Sequence, residues 1–214
     1  MYTLADEAVQ QSGLDNPTAA DYVAPKGAPS PEEAVKQAVI AIEKSDFRRL
    51  IELASPDELA VVHDYGGVIL KNVSPDAHAS FTVKDLQLAS RKVSGATRVS
   101  LKSITVDVPD HETTVAVDGD CLGITDDGDY RKLCAGELIK NLNAGPLRDK
   151  PLNAEQSAAL SRLASGIPRL GVDVTSSGGQ WYLNPARTYL GLSSALLEPL
   201  HDNDLLILLK LLQR

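Results

Sequence analysis

The chain has 214 residues, 43% of them hydrophobic but only 4% aromatic, with 21 Lys and Arg against 29 Asp and Glu and a net charge of −8. That length allows one good core with extensions, or two small domains. Nucleic acid needs a clustered basic face, whereas Arg48-Arg49 and Arg91-Lys92 read as solvated faces; the apolar run 205–212 is too short to span a bilayer and is interrupted by Lys210.

Residues 2–13 suit a short helix with Leu4, Ala5 and Val9 on one side, and residues 15–29 read as a Pro-, Ala- and Gly-rich connector. Ser30-Pro31-Glu32-Glu33 opens a helix, with Ser as N-cap, Pro in the first turn and Glu at the capping-box position. Its apolar stripe is Ala34, Val35, Ala38, Val39 and Ile42. Asp46 is expected to cap a second helix that buries Phe47, Leu50, Ile51 and Leu53. Ser55-Pro56-Asp57-Glu58 repeats the start signal for a third helix, running toward His63 and ending before Gly66-Gly67; Ser74-Pro75-Asp76 leads into a shorter turn.

From Phe81 the period becomes two. Phe81 and Val83 alternate, then Leu86 and Leu88 continue one residue out of phase; Val99 and Leu101 are followed in the same way by Ile104, Val106 and Val108. One slip in each strand predicts a β-bulge in each, and hence a curved sheet. Val115 and Val117 begin a third strand leading into DCLGITDDGDYRKLC, residues 120–134, which hold the only two cysteines. With Asp127-Gly128 as a two-residue type I′ turn, Cys121 falls opposite Cys134 at a non-hydrogen-bonded pair, where side chains come closest. The expectation is a cross-strand disulfide and an oxidising compartment, the alternative being two reduced core cysteines. Leu122, Ile124 and Leu133 would point at the core, with Cys121, Thr125 and Tyr130 on the other face.

Helical pattern returns at Asn153, with Gln156, Ala158, Leu160 and Leu163. Val172 and Val174 pass through a Ser-Gly turn to Trp181, Tyr182 and Leu183, a hairpin closed by Pro185. Residues 187–213 are helical in pattern, broken near Pro199 and restarted by a cap at Asp202 or Asn203. The last helix is apolar nearly all round, so it must be covered by this domain, by a second copy or by a neighbour.

Motifs for catalysis are missing: there is no G-x-S-x-G, H-E-x-x-H, P-loop or G-x-G-x-x-G. His63, His78, His111 and His201 are scattered, and His63-Asp64 and His201-Asp202 read as helix surface or capping rather than metal ligands. Asp118, Asp120, Asp126, Asp127 and Asp129 fail the calcium-loop pattern, because Leu122 and Asp129 stand where an oxygen ligand and a bidentate Glu belong. No cofactor and no metal are expected.

Helices followed by a curved antiparallel sheet make an α+β cone. PEEAVKQAVIAIEKSDFRRLIELASPDEL resembles the opening of NTF2-like (SnoaL-like, cystatin-like) domains. Gly119-Asp120-Cys121, Cys134 and Gly179-Gln180-Trp181-Tyr182-Leu183-Asn184-Pro185 resemble extracytoplasmic modules of actinobacterial membrane-anchored envelope proteins. The resemblance covers residues 30–192. It implies an NTF2-like domain over 30–185, a C-terminal helical extension over 186–214, and an N-terminal helix and linker over 1–29. Arg187-Thr188-Tyr189-Leu190 echoes Tyr2-Thr3-Leu4-Ala5, as if the first helix closed a preceding repeat. The membrane anchor would lie outside this chain, whose first residues, MYTLADEAVQ, do not have the pattern of a signal peptide and suggest a piece of a longer protein.

Some relatives use the cone pocket for acid–base chemistry, which places Tyr65, Asp85, Trp181 and Tyr182 as candidate pocket residues, with Asp85 alternatively a bulge acid facing solvent. The leading expectation is a non-catalytic binding or assembly module. Its partner would be an envelope protein, a lipid or a cell-wall component, or a second copy through the C-terminal helix. The alternatives are a ligand-binding sensor domain with an apolar cone pocket and a small-molecule enzyme resembling ketosteroid isomerases.

Overall fold

The computed structural model describes residues 18–73, 80–109, 111–119, 121–144 and 151–212. The helix expected over 2–13, the turn after Ser74, His78 and Asp120 lie outside them.

Helix α1 (Pro31–Glu43) begins where its cap predicts, with Ser30 Oγ accepting from Glu33 N at 3.1 Å. It buries Ala34, Val35, Ala38 and Ala41, while Ile42, expected inside, is 52% exposed. Small side chains on the inner face let the helix lie close to the sheet, and Ala41 takes the last inward position, turning Ile42 out. Asp46 caps α2 (Phe47–Leu53) by accepting from Arg49 N at 3.0 Å; Ile51 and Leu53 are buried, Phe47 and Leu50 half-buried.

Helix α3 (Ala60–Asp64) starts later than Ser55-Pro56-Asp57-Glu58 suggests. Ser55 N donates to Leu183 O at 2.9 Å and Ala54 bridges Leu183, so this stretch is held against the sheet rather than turned into helix. Helix α3 ends at Asp64, before Gly66-Gly67 as expected, and the glycine pair itself starts α4 (Gly66–Asn72). A Cβ on Gly66 would stand 2.5 Å from Val23 Cγ2, and one on Gly67 2.6 Å from Asp21 Cα. These glycines serve a close backbone approach.

What they approach is the stretch expected to be a loose connector. Val23 and Ala28 are buried, Val23 N donates to His63 O, Lys26 N to Glu52 O, and Ala28 pairs with Trp181 in both directions. Residues 18–29 form a strap across the helices. Arg49, expected in solvent, fastens it, donating to Lys26 O at 2.7 Å and Gly27 O at 3.4 Å and bonding Gln37 and Glu52.

Among the described residues, seven antiparallel strands form an open sheet: β1 (Thr82–Val93), β2 (Ala96–Val108), β3 (His111–Asp118), β4 (Cys121–Asp126), β5 (Asp129–Cys134), β6 (Val172–Ser177) and β7 (Gln180–Leu183). Both bulges are present: Lys84 is extra in β1, between Val83 and Asp85, and Lys102 is extra in β2, where Gln87 pairs Ser103 and Leu88 pairs Leu101. One edge of β2 is taken by β1. The other is shared, Val108 to Ser103 pairing β3 and Thr97 to Val99 pairing β6, so the sheet forks. One branch is the wing β3–β4–β5, the other the short body hairpin β6–β7.

The core lies under the body branch. Ala28, Ala34, Val35, Ala38, Leu53, Val99 and Val174 are buried together, with Leu50, Leu88, Val172, Trp181 and Leu183 packed around them. Each fully buried Val or Leu contributes about 1.5–3 kcal/mol of transfer free energy. The half-buried Arg98 donates to the buried Asp173 (2.7 and 2.8 Å) and ties β2 to β6.

Four helices complete the α+β fold: α5 (Ala135–Ala144), α6 (Ala154–Ala164), α7 (Pro185–Leu197) and α8 (Asp204–Leu212). Helix α5 begins at the residue after Cys134 and was not expected. Helix α6 has the predicted capping box between Asn153 and Gln156. Pro185 follows the end of β7 and also opens α7, with Asn184 Oδ1 accepting from Arg187 N at 3.0 Å. Helix α7 packs on β6 and α8 on α6.

Candidate functional site

The hairpin is as the spacing predicts. Asp127 (φ 47°) and Gly128 (φ 92°) both occupy the left-handed region that a type I′ turn needs. The pairs step outward from Asp126–Asp129 to Cys121–Cys134, whose Cα atoms are 4.0 Å apart and whose sulfurs are bonded. The facing differs from expectation. Cys121 and Gly123, on one face of β4, are its buried residues, while Leu122, Ile124 and Leu133 are only half-buried, because the wing branches away from the main core. Tyr130 lies over Gly123 on the disulfide face, its ring 3.0 Å from where a Cβ would stand. An oxidising compartment fits this bond.

The β3–β4 register brings His111 beside the turn, a proximity that no local motif reveals. Its Nδ1 is 2.8 Å from Asp127 Oδ2, and Asp127 Oδ1 accepts from Glu112 N at 3.1 Å. The His111 bond holds Asp127 below its ordinary range, and Asp127 pulls His111 above its own. Asp126 completes an exposed trio whose ligand atoms lie within 4.8 Å, and it accepts from Thr113 Oγ1. Asp126 and Asp127 clamp the hairpin tip to β3.

His63 corrects a second expectation. It is not on a helix surface but 2% exposed, its Nδ1 2.8 Å from Val23 O and its Nε2 3.0 Å from Ala54 O. The ring fastens the strap to the end of α2.

The four candidate pocket residues do not meet in one place. Asp85 is exposed at the β1 bulge and accepts from Gln87 Nε2 at 3.1 Å, which is the solvent-facing alternative. It pairs Thr105, whereas Tyr182 pairs Thr175 on β6, which reaches β2 at Thr97 to Val99. From Thr97 to Thr105 is roughly 26 Å along the strand. Tyr182 is buried, its hydroxyl donating to Gln180 Oε1 at 3.1 Å; Trp181 packs against the core, and Tyr65 is half-buried between α3 and α4.

The C-terminal helices carry the more distinctive surface. An open groove of about 560 Å³ lies between the starts of α6 and α8, lined among others by Glu155, Ala158, Arg162, His201, Asp202 and Ile207. At its base Arg162 Nε and Nη2 donate to the two oxygens of Asp204, each at 2.6 Å, and His201 N donates to Asp204 at 2.8 Å. The Arg162 bonds, and then the His201 amide, hold Asp204 down at about 2. This fork anchors the first turn of α8 to α6.

With that side fixed, Ile207, Leu208 and Leu211 are half-buried inward, and the opposite side faces solvent. Leu205 is 49%, Leu206 57% and Leu209 47% exposed, three leucines on one helical face. Helix α7 also exposes Tyr189, Leu190 and Leu197. Among the described residues no helix is long and apolar enough to cross a membrane.

No family model matches this chain, and neither the curated proteins nor the solved structures contain a match to it.

Proposed function

We propose that this chain is a non-catalytic binding or assembly module of a bacterial cell-envelope protein, working outside the cytoplasm, and that the outer face of α8 is its contact surface. The observation that carries the reading is the solvent-facing row Leu205, Leu206 and Leu209 on a helix clamped by the Arg162–Asp204 fork. Exposed leucines on a rigid helix present a ready-made apolar surface with little ordering cost on association. The Cys121–Cys134 bond supports the extracytoplasmic setting. An NTF2-like domain with a membrane anchor elsewhere in the parent protein is consistent with helices packed on a bulged, curved sheet. Within that reading the partner is an envelope protein, a lipid or a wall component.

The test is co-sedimentation of the chain with isolated bacterial envelope particles, comparing it with a variant carrying Leu205→Ser, Leu206→Ser and Leu209→Ser. Retention that falls at least tenfold in the variant is the expected result. Equal retention of both proteins, or none of either, rejects α8 as the contact surface.

The groove between α6 and α8 favours a second reading, a domain that binds a small ligand there rather than in a cone pocket. Native mass spectrometry after incubation with an envelope extract decides it, a retained small mass that disappears in Ala158→Trp being the supporting outcome.

A further inference from the structure

We infer that His63 is a proton-operated latch on the strap 18–29: its doubly protonated ring ties the strap to the helices and lets go when it loses a proton. The ring is 2% exposed and lies between two backbone oxygens, Nδ1 2.8 Å from Val23 O and Nε2 3.0 Å from Ala54 O. A carbonyl oxygen only accepts, so each contact needs an N–H on the ring side. Neutral imidazole has one N–H and one lone pair, whereas imidazolium donates from both nitrogens. In either neutral tautomer one carbonyl meets a lone pair at hydrogen-bond distance, and a buried acceptor is left without its bond. A charged ring is tolerated in such a place because both of its donors are bonded, and bonds from a cation are the stronger kind.

Residue 63 grips the strap twice. Val23 N donates to His63 O at 2.9 Å, a backbone bond indifferent to protonation, while the ring bond to Val23 O depends on the proton. Other ties of the strap lie to either side, Asp21 on Lys71 at 2.7 Å and Ala28 on Trp181 in both directions. Loss of the proton therefore loosens the middle of the strap, where Val23 packs on Gly66, and leaves its ends in place. The charged groups on the elements around the ring are largely paired among themselves: Asp21 with Lys71, Glu52 with Arg49 at 3.0 Å, and Glu58 with Arg187 at 3.4 Å. Lys26, Asp57, Asp64 and Tyr22 are exposed, and Tyr65 is half-buried. Both ring nitrogens are turned to carbonyls, so these groups reach the ring through space. The latched strap holds a proton that the open strap releases, so raising pH favours opening.

Nuclear magnetic resonance of the whole chain, labelled with nitrogen-15 histidine, reads the ring directly, and the signals missing in His63→Gln assign it. At about pH 5 both ring nitrogens of His63 are expected to carry protons. As pH rises to about 8, one proton should leave and the protection factor of the Val23 amide should fall about fivefold or more. That of Ala28, held by Trp181, should stay within about twofold. His63→Gln, whose amide donates without titrating, should show no fall at Val23 over the same range. A single protonated nitrogen at about pH 5, both protons retained to about pH 8, or an equal fall at Val23 in the variant overturns the inference. If the variant does not fold, through-bond assignment of the wild type takes its place, and a ring proton lost without any change at Val23 overturns the latch.

Discussion

His63 and Asp204 are each 2% exposed, and each fastens one element to another through bonds that no other nearby side chain supplies. Replacing His63 by Leu removes a ring N–H donor from this buried pair of carbonyls, at about 1–3 kcal/mol. His63→Leu should therefore lower unfolding free energy by about 1–3 kcal/mol, read from the midpoint of urea denaturation. Asp204 acts through charge. Its folded value, about 2, lies below the ordinary 3.8. The stabilisation it brings is complete above pH 4 and is lost as pH falls through 2. Asp21, lowered to about 2 chiefly by Lys71 and then by the Thr18 amide, contributes in the same window. Thermal melts between pH 5 and pH 2 should show stability falling across that interval, with a shallower fall in Asp204→Asn. An equally steep fall in the variant would assign the acid sensitivity elsewhere.

At the scale of elements, legibility followed the range of the interactions. Caps act within four residues, so Ser30, Asp46 and Asn153 could be read directly, and all three accept the expected amide. The slips at Lys84 and Lys102 were legible because a pleated strand has a strict period, and the hairpin because its turn fixes its register. Helix α5 was missed because it runs straight out of β5 with Ala-Gly at its start and no capping residue. The packing role of the glycine pair was not legible because its reason is distant: Asp21 and Val23 pass against it, more than forty residues away in sequence. The candidate pocket was illegible for a related reason. Nothing local in Asp85 or Tyr182 reports that β6 joins β2 far from the bulge. Gly66→Ala should cost more than the gain of about 1 kcal/mol that a helix ordinarily draws from this exchange, because Val23 must move. Net destabilisation by chemical denaturation is expected, and a stabilised variant would show that the strap yields.

For the whole molecule the consequence of the fork at β2 is a division of stability. The body branch has the core beneath α1, with Leu53, Val99 and Val174 fully enclosed, whereas the residues of β3, β4 and β5 are half-buried or exposed apart from Cys121 and Gly123. Apolar burial holds the first. The second depends more on its ladder, on the tip clamp at Asp127 and on the disulfide, which should contribute about 3 kcal/mol by loop-closure entropy. Because the wing joins the body through β2 alone among the strands, its loosening need not propagate. Reduction should therefore raise amide hydrogen exchange in β4 and β5 by tenfold or more while α1, β6 and β7 keep their protection. Cys121→Ala with Cys134→Ala should reproduce that pattern without reductant. Exchange rising equally in both branches would mean that they fold as one cooperative unit, and that the disulfide stabilises the body as much as the wing. Since α8 rests on α6 rather than on the wing, the reduced protein should also keep its retention on envelope particles. Retention lost on reduction would tie the contact surface to the hairpin instead.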